Sequence, residues 1–199
     1  KRQARIGVKT ALFTNDTNTI GEMSCNPAIG GLGKGHLVRE IDALDGVMGD
    51  IADKSGIQFR LLNKSRGPAV QGLRTQSDRS IYKKEMQLKL LNYCNLSIYS
   101  MSINQFIIEN NEIKGLKAVD GTEIKCSKVI LTTGTFLNGL IHIGDKRTPA
   151  GRYDEKPTLG LSDQLRKYDF KLGRLKTGTP PRLDGTTINY DNLERQDAD

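Results

Sequence analysis

The sequence has no tryptophan, only three cysteines and no long apolar run, and the last two shortages each argue against a class of protein. An odd number of cysteines without paired spacing argues against a disulfide framework or a zinc site, and it favours a reducing compartment. No stretch reaches the length of a membrane span. Because only 36% of the 199 residues are hydrophobic, we expect some apolar surface to remain exposed.

The most informative feature that the sequence does have is a glycine-rich loop at residues 23–37 that leads into a predicted helix. Glycines let the backbone approach a ligand closely, and the N–H groups that begin the helix would favour a thiolate at Cys25. The loop is therefore a candidate ligand-binding segment. A tight turn with a helix cap is the alternative interpretation. The glycines are Gly30, Gly31, Gly33 and Gly35.

Two phosphate-binding motifs almost match this loop. The P-loop pattern fails because Ala28 replaces its first glycine and Gly35 replaces its final Ser or Thr, which leaves a P-loop NTPase as a weakened alternative. The dinucleotide pattern fails at His36, where its last glycine should stand. The polar segment 20–27 predicts no strand before either motif.

Hydrophobic periodicity predicts both helices and strands. A helix is expected at 35–44, a short strand at 57–62 and a long amphipathic helix at 75–93 whose apolar face carries Tyr82, Met86 and Leu90. Strands are expected between 96 and 131, with turns at Asn110-Asn111 and Asp120-Gly121. A last strand at 129–133 runs into Thr-Gly-Thr, which would place backbone amides at the ligand-binding edge of a doubly wound sheet.

Several long motifs follow one another in a fixed order. They include SCNPAIGG at 24–31, GKGHLV at 33–38 and GRLKTGTPPR at 173–182. Motifs of this length are far more specific than a single glycine pattern. Through them the sequence resembles the tRNA uridine 5-carboxymethylaminomethyl modification enzymes, the MnmG or GidA family. Further matching segments are 40–44, 56–60, 67–70, 134–137 and 141–144.

The resemblance implies an α/β fold in two parts. Residues 1–140 would form an incomplete Rossmann-like FAD-binding domain with a β-meander, and residues 141–199 would begin an inserted α+β substrate domain. In the family a glycine turn for the FAD pyrophosphate precedes the helix whose tail residues 1–7 resemble. We therefore expect the sequence to be an incomplete part of a longer protein, with little activity of its own.

The resemblance also implies the chemistry and the partners. Members of the family use FAD, reduced by NADH, to transfer a one-carbon unit from methylenetetrahydrofolate to the wobble uridine of tRNA. They act as homodimers with a partner GTPase, MnmE, in the cytoplasm, and an organellar homologue is also possible. A non-catalytic tRNA-binding or assembly module is the alternative function. No metal site and no membrane association are expected.

The site residues follow from the same resemblance. Cys25 is the candidate nucleophile that would attack the pyrimidine, although a cysteine packed beside the flavin ring is the equal alternative. Cys94 and Cys126 are interpreted as structural. Thr158 occupies a cofactor position that usually holds Ser in the family. The predicted FAD contacts are Asn26, Gly30, Gly31, Ile103, Gly134, Thr135 and Thr158.

The net charge of +7 is concentrated in residues 142–182. A basic stretch of this kind can follow RNA phosphates, and an ordinary solvated surface is the alternative. With the resemblance, we predict that this stretch contacts tRNA. The predicted tRNA-binding residues are Arg152, Arg174, Lys176 and Arg182.

Overall fold

The structure is a computed structural model that describes residues 1–23, 26–134, 136–152, 155–178 and 180–199. Helices and strands are interspersed along the chain, which confirms the predicted α/β class. The helices are α1 (Arg2–Arg5), α2 (Lys34–Ala43), α3 (Met48–Ser55), α4 (Arg79–Leu91) and α5 (Leu161–Lys167), with 3₁₀ turns at Thr17–Thr19, Pro68–Val70 and Gly185–Thr187. The strands are β1 (Thr10–Thr14), β2 (Ala28–Gly30), β3 (Gly56–Leu62), β4 (Gly72–Ser77), β5 (Leu96–Ser100), β6 (Ile103–Glu109), β7 (Glu112–Ala118), β8 (Glu123–Lys125), β9 (Leu140–Ile143) and β10 (Lys146–Pro149).

The strands of the described ranges form four small sheets. Strands β2, β4 and β3 pair antiparallel in that order, and β6, β7 and β8 form the expected antiparallel meander. Strands β9 and β10 form a hairpin. Strands β1 and β5 pair in parallel, because hydrogen bonds join Thr10 to Asn95 at one end and Met101 to Thr14 at the other. A parallel pair is the arrangement expected of a Rossmann-like sheet.

The chain divides into two compact units. The first unit comprises Lys1–Thr10, Asn18–Ser97 and Thr177–Asp199, and the second comprises Ala11–Thr17 and Ile98–Lys176. The domain boundary at residue 140 stays a prediction. No helix in the described ranges is long and apolar enough to span a membrane.

The first unit has an apolar core between α3 and α4. Ile51 of α3 is fully buried and packs with Tyr82 and Met86 of α4, while Leu90 covers the edge of the cluster. The apolar face predicted for α4 is therefore confirmed. Each such side chain contributes about 1.5–3 kcal/mol when it leaves water.

The helix α4 begins later than its periodicity predicts. The prediction started the helix at Thr75, but residues 75–77 belong to β4, where they pair with β2 and β3. Asp78 ends the strand and caps the helix, because its side chain accepts hydrogen bonds from the backbone N–H of Ser80 and Ile81. The prediction was wrong because sheet pairing outweighs the weak helix preference of Thr and Ser.

Two strand expectations also need correction. The three residues of β2 form a strand within the glycine-rich loop, where none was predicted, because β4 supplies its hydrogen-bond partners. The expected strand at 129–133 has no regular structure, and Ile130 is exposed. An apolar run becomes a strand only where a neighbouring strand pairs with it.

Candidate cofactor and nucleic-acid sites

The glycine-rich loop of the first unit is a turn built by β2 and β4. Gly30 has φ +95°, and a Cβ there would lie 2.0 Å from the carbonyl oxygen of Leu73. The backbone N–H of Gly31 donates to that same carbonyl oxygen at 2.7 Å. Gly30 is thus required by the chain's own packing, whether or not a ligand is present.

The next two glycines leave their backbone open. Gly31 has φ +84° and the nearest atoms to its would-be Cβ are 3.8 Å away, and Gly33 has φ +73° with nothing within 4 Å. Gly33 is the N-cap residue of α2, and no side-chain hydrogen bond caps the helix there. A planar ligand could therefore approach the backbone at these positions, which fits the expected use of the loop.

The side chain of Lys34 binds the backbone of the turn itself. Its Nζ donates to the carbonyl oxygen of Ala28 at 2.9 Å. A P-loop lysine must reach the phosphates of a nucleotide, so this contact gives the NTPase interpretation no support.

The predicted residues that precede the turn are only partly covered by the structure. Asn26 is exposed, and its Oδ1 lies 3.5 Å from a guanidinium nitrogen of Arg74. Cys25 lies outside the described residues, so its candidate role stays a prediction. The other two cysteines are described: Cys94 is exposed, and partial burial raises the pKa of the Cys126 thiol. A raised pKa disfavours the thiolate, so Cys126 does not fit a nucleophile.

In the second unit, Ile103 begins β6 next to a buried acceptor. The side-chain oxygen Oδ1 of Asn104 is buried and has no hydrogen-bond partner among the described residues. Gly160 packs against the same residue, because a Cβ there would lie 2.6 Å from the Asn104 carbonyl oxygen. A buried acceptor without a donor costs about 1–3 kcal/mol, so it is a place where a ligand N–H would be stabilising.

Thr158 is held by its backbone to the segment after Gly134. It forms an isolated parallel bridge with Leu137, and the backbone N–H of Asn138 donates to the Thr158 carbonyl oxygen at 2.9 Å. Gly134 has φ +61° with open space at its Cβ position. Thr135 lies outside the described residues.

Asn138 joins three segments of the second unit, and the sequence analysis missed it. Its Nδ2 donates to the hydroxyl oxygen of Ser162 on α5 at 2.5 Å, and its carbonyl oxygen accepts two hydrogen bonds from Arg174, both 3.2 Å. Asn138 has φ +49°, a conformation that asparagine tolerates better than most residues. The Asn-Gly dipeptide it forms with Gly139 is a turn signal that could have revealed it.

The predicted tRNA-binding residues divide into two kinds. Arg152 forms an ion pair with Glu155 at 3.0 Å and lies over the ring of Phe136, so it is engaged within its own unit. Arg174 is exposed but bound to Asn138, as described above. Lys176 and Arg182 are exposed and form no ion pair with the residues that the structure describes. Of the four predicted residues, these two are the ones that no ion pair or hydrogen bond of a described residue already engages.

Comparison with known proteins identifies close relatives. The family model for glucose inhibited division protein A matches residues 2–199. A tRNA uridine 5-carboxymethylaminomethyl modification enzyme, MnmG, from Zymomonas mobilis is 52% identical over 196 residues, which are 98% of this chain and 32% of the relative. The chain thus spans about a third of that relative's length.

Solved structures agree with this comparison. The crystal structure of GidA from Aquifex aeolicus matches with a TM-score of 0.89 and 49% identity, and the match covers 100% of this chain and 33% of that one. The GidA-related protein from Thermus thermophilus matches with a TM-score of 0.56 and 17% identity over 84% of this chain and 61% of that one. The second likeness shows a shared fold only.

Proposed function

This chain belongs to the glucose inhibited division protein A family, and we propose that it contributes the flavin contacts and the reactive cysteine of a tRNA-modifying enzyme. The substrate of that enzyme is a uridine of tRNA, as the name of the relative from Zymomonas mobilis states, and the family resemblance narrows it to the wobble uridine. NADH and methylenetetrahydrofolate serve as co-substrates.

The unpartnered oxygen of Asn104 is the observation that carries the flavin assignment. Oδ1 of Asn104 accepts no hydrogen bond from any described residue, and Asn104 directly follows Ile103, the proposed contact to the adenine end of FAD. The exocyclic amine of adenine is a hydrogen-bond donor, and such an oxygen can accept a hydrogen bond from it. We therefore assign the adenine end to Ile103 and Asn104.

We assign the remaining flavin contacts to positions where a ligand can approach the backbone. Gly31 and Gly134 both have positive φ; a Cβ at Gly134 would meet nothing within 4 Å, and one at Gly31 would meet its nearest atom at 3.8 Å. Bound FAD supplies hydride transfer and one-carbon chemistry that no side chain provides. The further proposed contacts are Asn26, Gly30, Thr135 and Thr158.

We assign the nucleophile to Cys25. Its thiolate would add to C6 of the uridine, which makes C5 nucleophilic toward the one-carbon unit. Loss of the C5 proton and cleavage of the S–C6 bond would then restore both the pyrimidine ring and the thiolate. Cys126, whose pKa is raised by burial, is the less suitable thiol.

The proposed partners follow from charge and from the family. Lys176 and Arg182 are exposed cations suited to tRNA phosphates. Arg152 and Arg174, which are bound to Glu155 and Asn138, are the further proposed tRNA contacts. A homodimer that acts with the GTPase MnmE in the cytoplasm is the proposed assembly.

Flavin titration tests the cofactor assignment. In a chimera in which this chain replaces the matching third of the Zymomonas mobilis relative, we expect Asn104→Leu to weaken the binding of FAD by about tenfold, because one hydrogen bond to adenine is worth about 1.4 kcal/mol. Gln105→Leu is the matched control, since it alters the exposed neighbour on the same strand. Quenching of flavin fluorescence measures both. Equal affinities in the two variants would contradict the assignment to Asn104.

A chimera tests the catalytic assignment. This chain replaces the matching third of the Zymomonas mobilis relative, and mass spectrometry of tRNA nucleosides measures wobble-uridine modification. Cys25→Ser should abolish modification while flavin absorbance and tRNA binding persist, and Cys94→Ser should change nothing. If Cys25→Ser retains modification, the thiol only packs. A chimera that binds tRNA without modifying it would instead support a non-catalytic binding module.

A further inference from the structure

One face of the sheet β2-β4-β3 is polar and cationic. Arg60 on β3 and Arg74 on β4 stand directly opposite each other, and Gln58 and Gln76 form the next pair on the same face. On β2 the residue opposite Arg74 is Gly30, which has no side chain. Residues directly opposite in an antiparallel pair have Cβ atoms about 4.5–5.5 Å apart, so the side chains of Arg60 and Arg74 start next to each other on the same face.

Neither arginine is neutralised within the described chain. The Nε and Nη1 of Arg60 are buried and have no hydrogen-bond partner among the described residues. Arg74 reaches only the amide oxygen of Asn26, at 3.5 Å, and neither guanidinium forms an ion pair in the ranges that the structure describes. Like charges placed directly opposite in a sheet are destabilising, and buried donors without acceptors add to that cost.

One carboxylate lies within Coulombic range of Arg60, and it is already occupied. Asp199 accepts hydrogen bonds from the backbone N–H of Leu61 at 2.5 Å and from Lys64 Nζ at 2.6 Å. These two donors hold the pKa of Asp199 below its usual value, and Arg60 contributes a smaller Coulombic effect. Asp199 is thus close enough to interact with Arg60 through space, but it leaves the donors of Arg60 unpaired.

We propose that Arg60 and Arg74 form a binding site for a phosphate group on this face of the sheet. The inference goes beyond the proposed function, because neither arginine is among the flavin, nucleophile or tRNA assignments, and its failure would leave those assignments untouched.

The donor set fits phosphate better than carboxylate. A guanidinium offers several N–H donors in a planar fork, and two of them offer more donors than the two oxygens of a carboxylate can use. A phosphate monoester presents three terminal oxygens and a charge near −2, which offsets both cations at once. The amide of Gln76, on the same face, can donate to a remaining oxygen, and Gln58 Nε2 has a second N–H beside the one that it donates to the carbonyl oxygen of Gln196 at 3.0 Å.

Titration of the 199-residue chain with inorganic phosphate, followed by ³¹P NMR at constant ionic strength, tests the proposal. We expect saturable binding that weakens at least tenfold in Arg60→Met and in Arg74→Met. Arg166→Met is the matched control, because it removes an exposed cation from α5, where Arg166 pairs with Asp163. Asp199→Asn should tighten binding severalfold, since it removes the negative charge near Arg60.

Thermal unfolding without phosphate provides an independent readout. Arg60→Met should unfold at a higher temperature than the parent chain, because it relieves the paired like charges and the unpartnered donors, and phosphate should no longer raise that temperature. Failure of phosphate to bind, or malonate binding as tightly as phosphate, would overturn the proposal. Competition by adenosine diphosphate assigns the site to small phosphate esters, and competition only by a dephosphorylated RNA oligomer assigns it to a polynucleotide backbone.

Discussion

The two units of this chain are stabilised in different ways. The first unit has a cluster of large apolar side chains in which Ile51, Tyr82 and Met86 are buried. In the second unit the buried apolar residues are small or few, and Leu116 and Leu161 are the largest among those described. In that unit, side-chain hydrogen bonds to the backbone of β6 attach α5 to the meander.

Gln164 is the clearest example of such a hydrogen bond. Its Oε1 accepts from the backbone N–H of Phe106 at 2.6 Å, and its Nε2 donates to the carbonyl oxygen of the same residue at 3.2 Å. The side-chain amide thus pairs with β6 as another strand would, and it fixes α5 to the meander. Apolar packing tolerates small shifts, whereas this pairing requires one geometry, which suits a region proposed to position a cofactor.

The largest expected effect comes from the core of the first unit. Ile51→Ala removes three buried carbons between α3 and α4 and should lower the free energy of unfolding by about 4 kcal/mol. Ile57→Ala is the control, since Ile57 is 70% exposed and should change stability by less than about 0.5 kcal/mol. Urea unfolding measures both. Similar losses in the two variants would show that the core does not dominate the first unit.

Gln164→Ala should have the next largest effect and should act locally. It leaves the N–H and carbonyl groups of Phe106 without their partner, which costs about 2 kcal/mol. Hydrogen exchange should quicken at the Phe106 amide and leave the Ile51 amide unchanged. Gln105→Ala, on the exposed side of the same strand, is the control. Uniform acceleration across both units would contradict the proposed difference between them.

Sequence reasoning succeeds best where local pattern and packing agree. The face of α4 around Tyr82 and the hairpin turn at Asn110-Asn111 were predicted correctly, and both asparagines have the positive φ that a two-residue hairpin turn requires. The short strand β2 was missed because only its pairing with β4 makes it a strand.

The candidate sites were predictable only in part. The motif resemblance provides Cys25, Gly31, Ile103 and the basic residues, but no local pattern indicates that Asn104 Oδ1 is buried without a donor. The opposition of Arg60 and Arg74 depends on strand register, which single-sequence patterns do not determine. Asn138 could have been suspected as a turn residue, yet its contacts to Ser162 and Arg174 are tertiary.

A smaller effect is expected at the start of α4. Asp78→Ala removes the side-chain oxygen that accepts from the N–H groups of Ser80 and Ile81, and it should cost about 1 kcal/mol. Asp78→Asn keeps an acceptor and should recover most of that stability. Urea midpoints of the three proteins measure the difference. Equal losses for Ala and Asn would mean that the negative charge, and not the cap, supports the helix.

The smallest expected effect is the acid dependence of an ion pair between α3 and α4. Lys89 Nζ lies 3.1 Å from Asp50 and holds the pKa of Asp50 below its ordinary value of 3.8, with a further contribution from Lys54 at 3.7 Å. Because the folded state binds this proton less tightly than the unfolded state, the stabilisation is complete only well above the ordinary value of 3.8 and is lost as the pH falls through the lowered pKa of the folded state.

Because these groups are largely solvated, the loss should amount to only about 0.3–0.5 kcal/mol and should shrink in high salt. Urea unfolding of Asp50→Asn between pH 6 and pH 3 measures it: the difference from the parent chain should vanish at the acid end. Asp53→Asn is the control, since Asp53 is exposed and forms no ion pair with the described residues. A difference that persists at pH 3 would mean that Asp50 stabilises α3 by packing or hydrogen bonding, and not by charge.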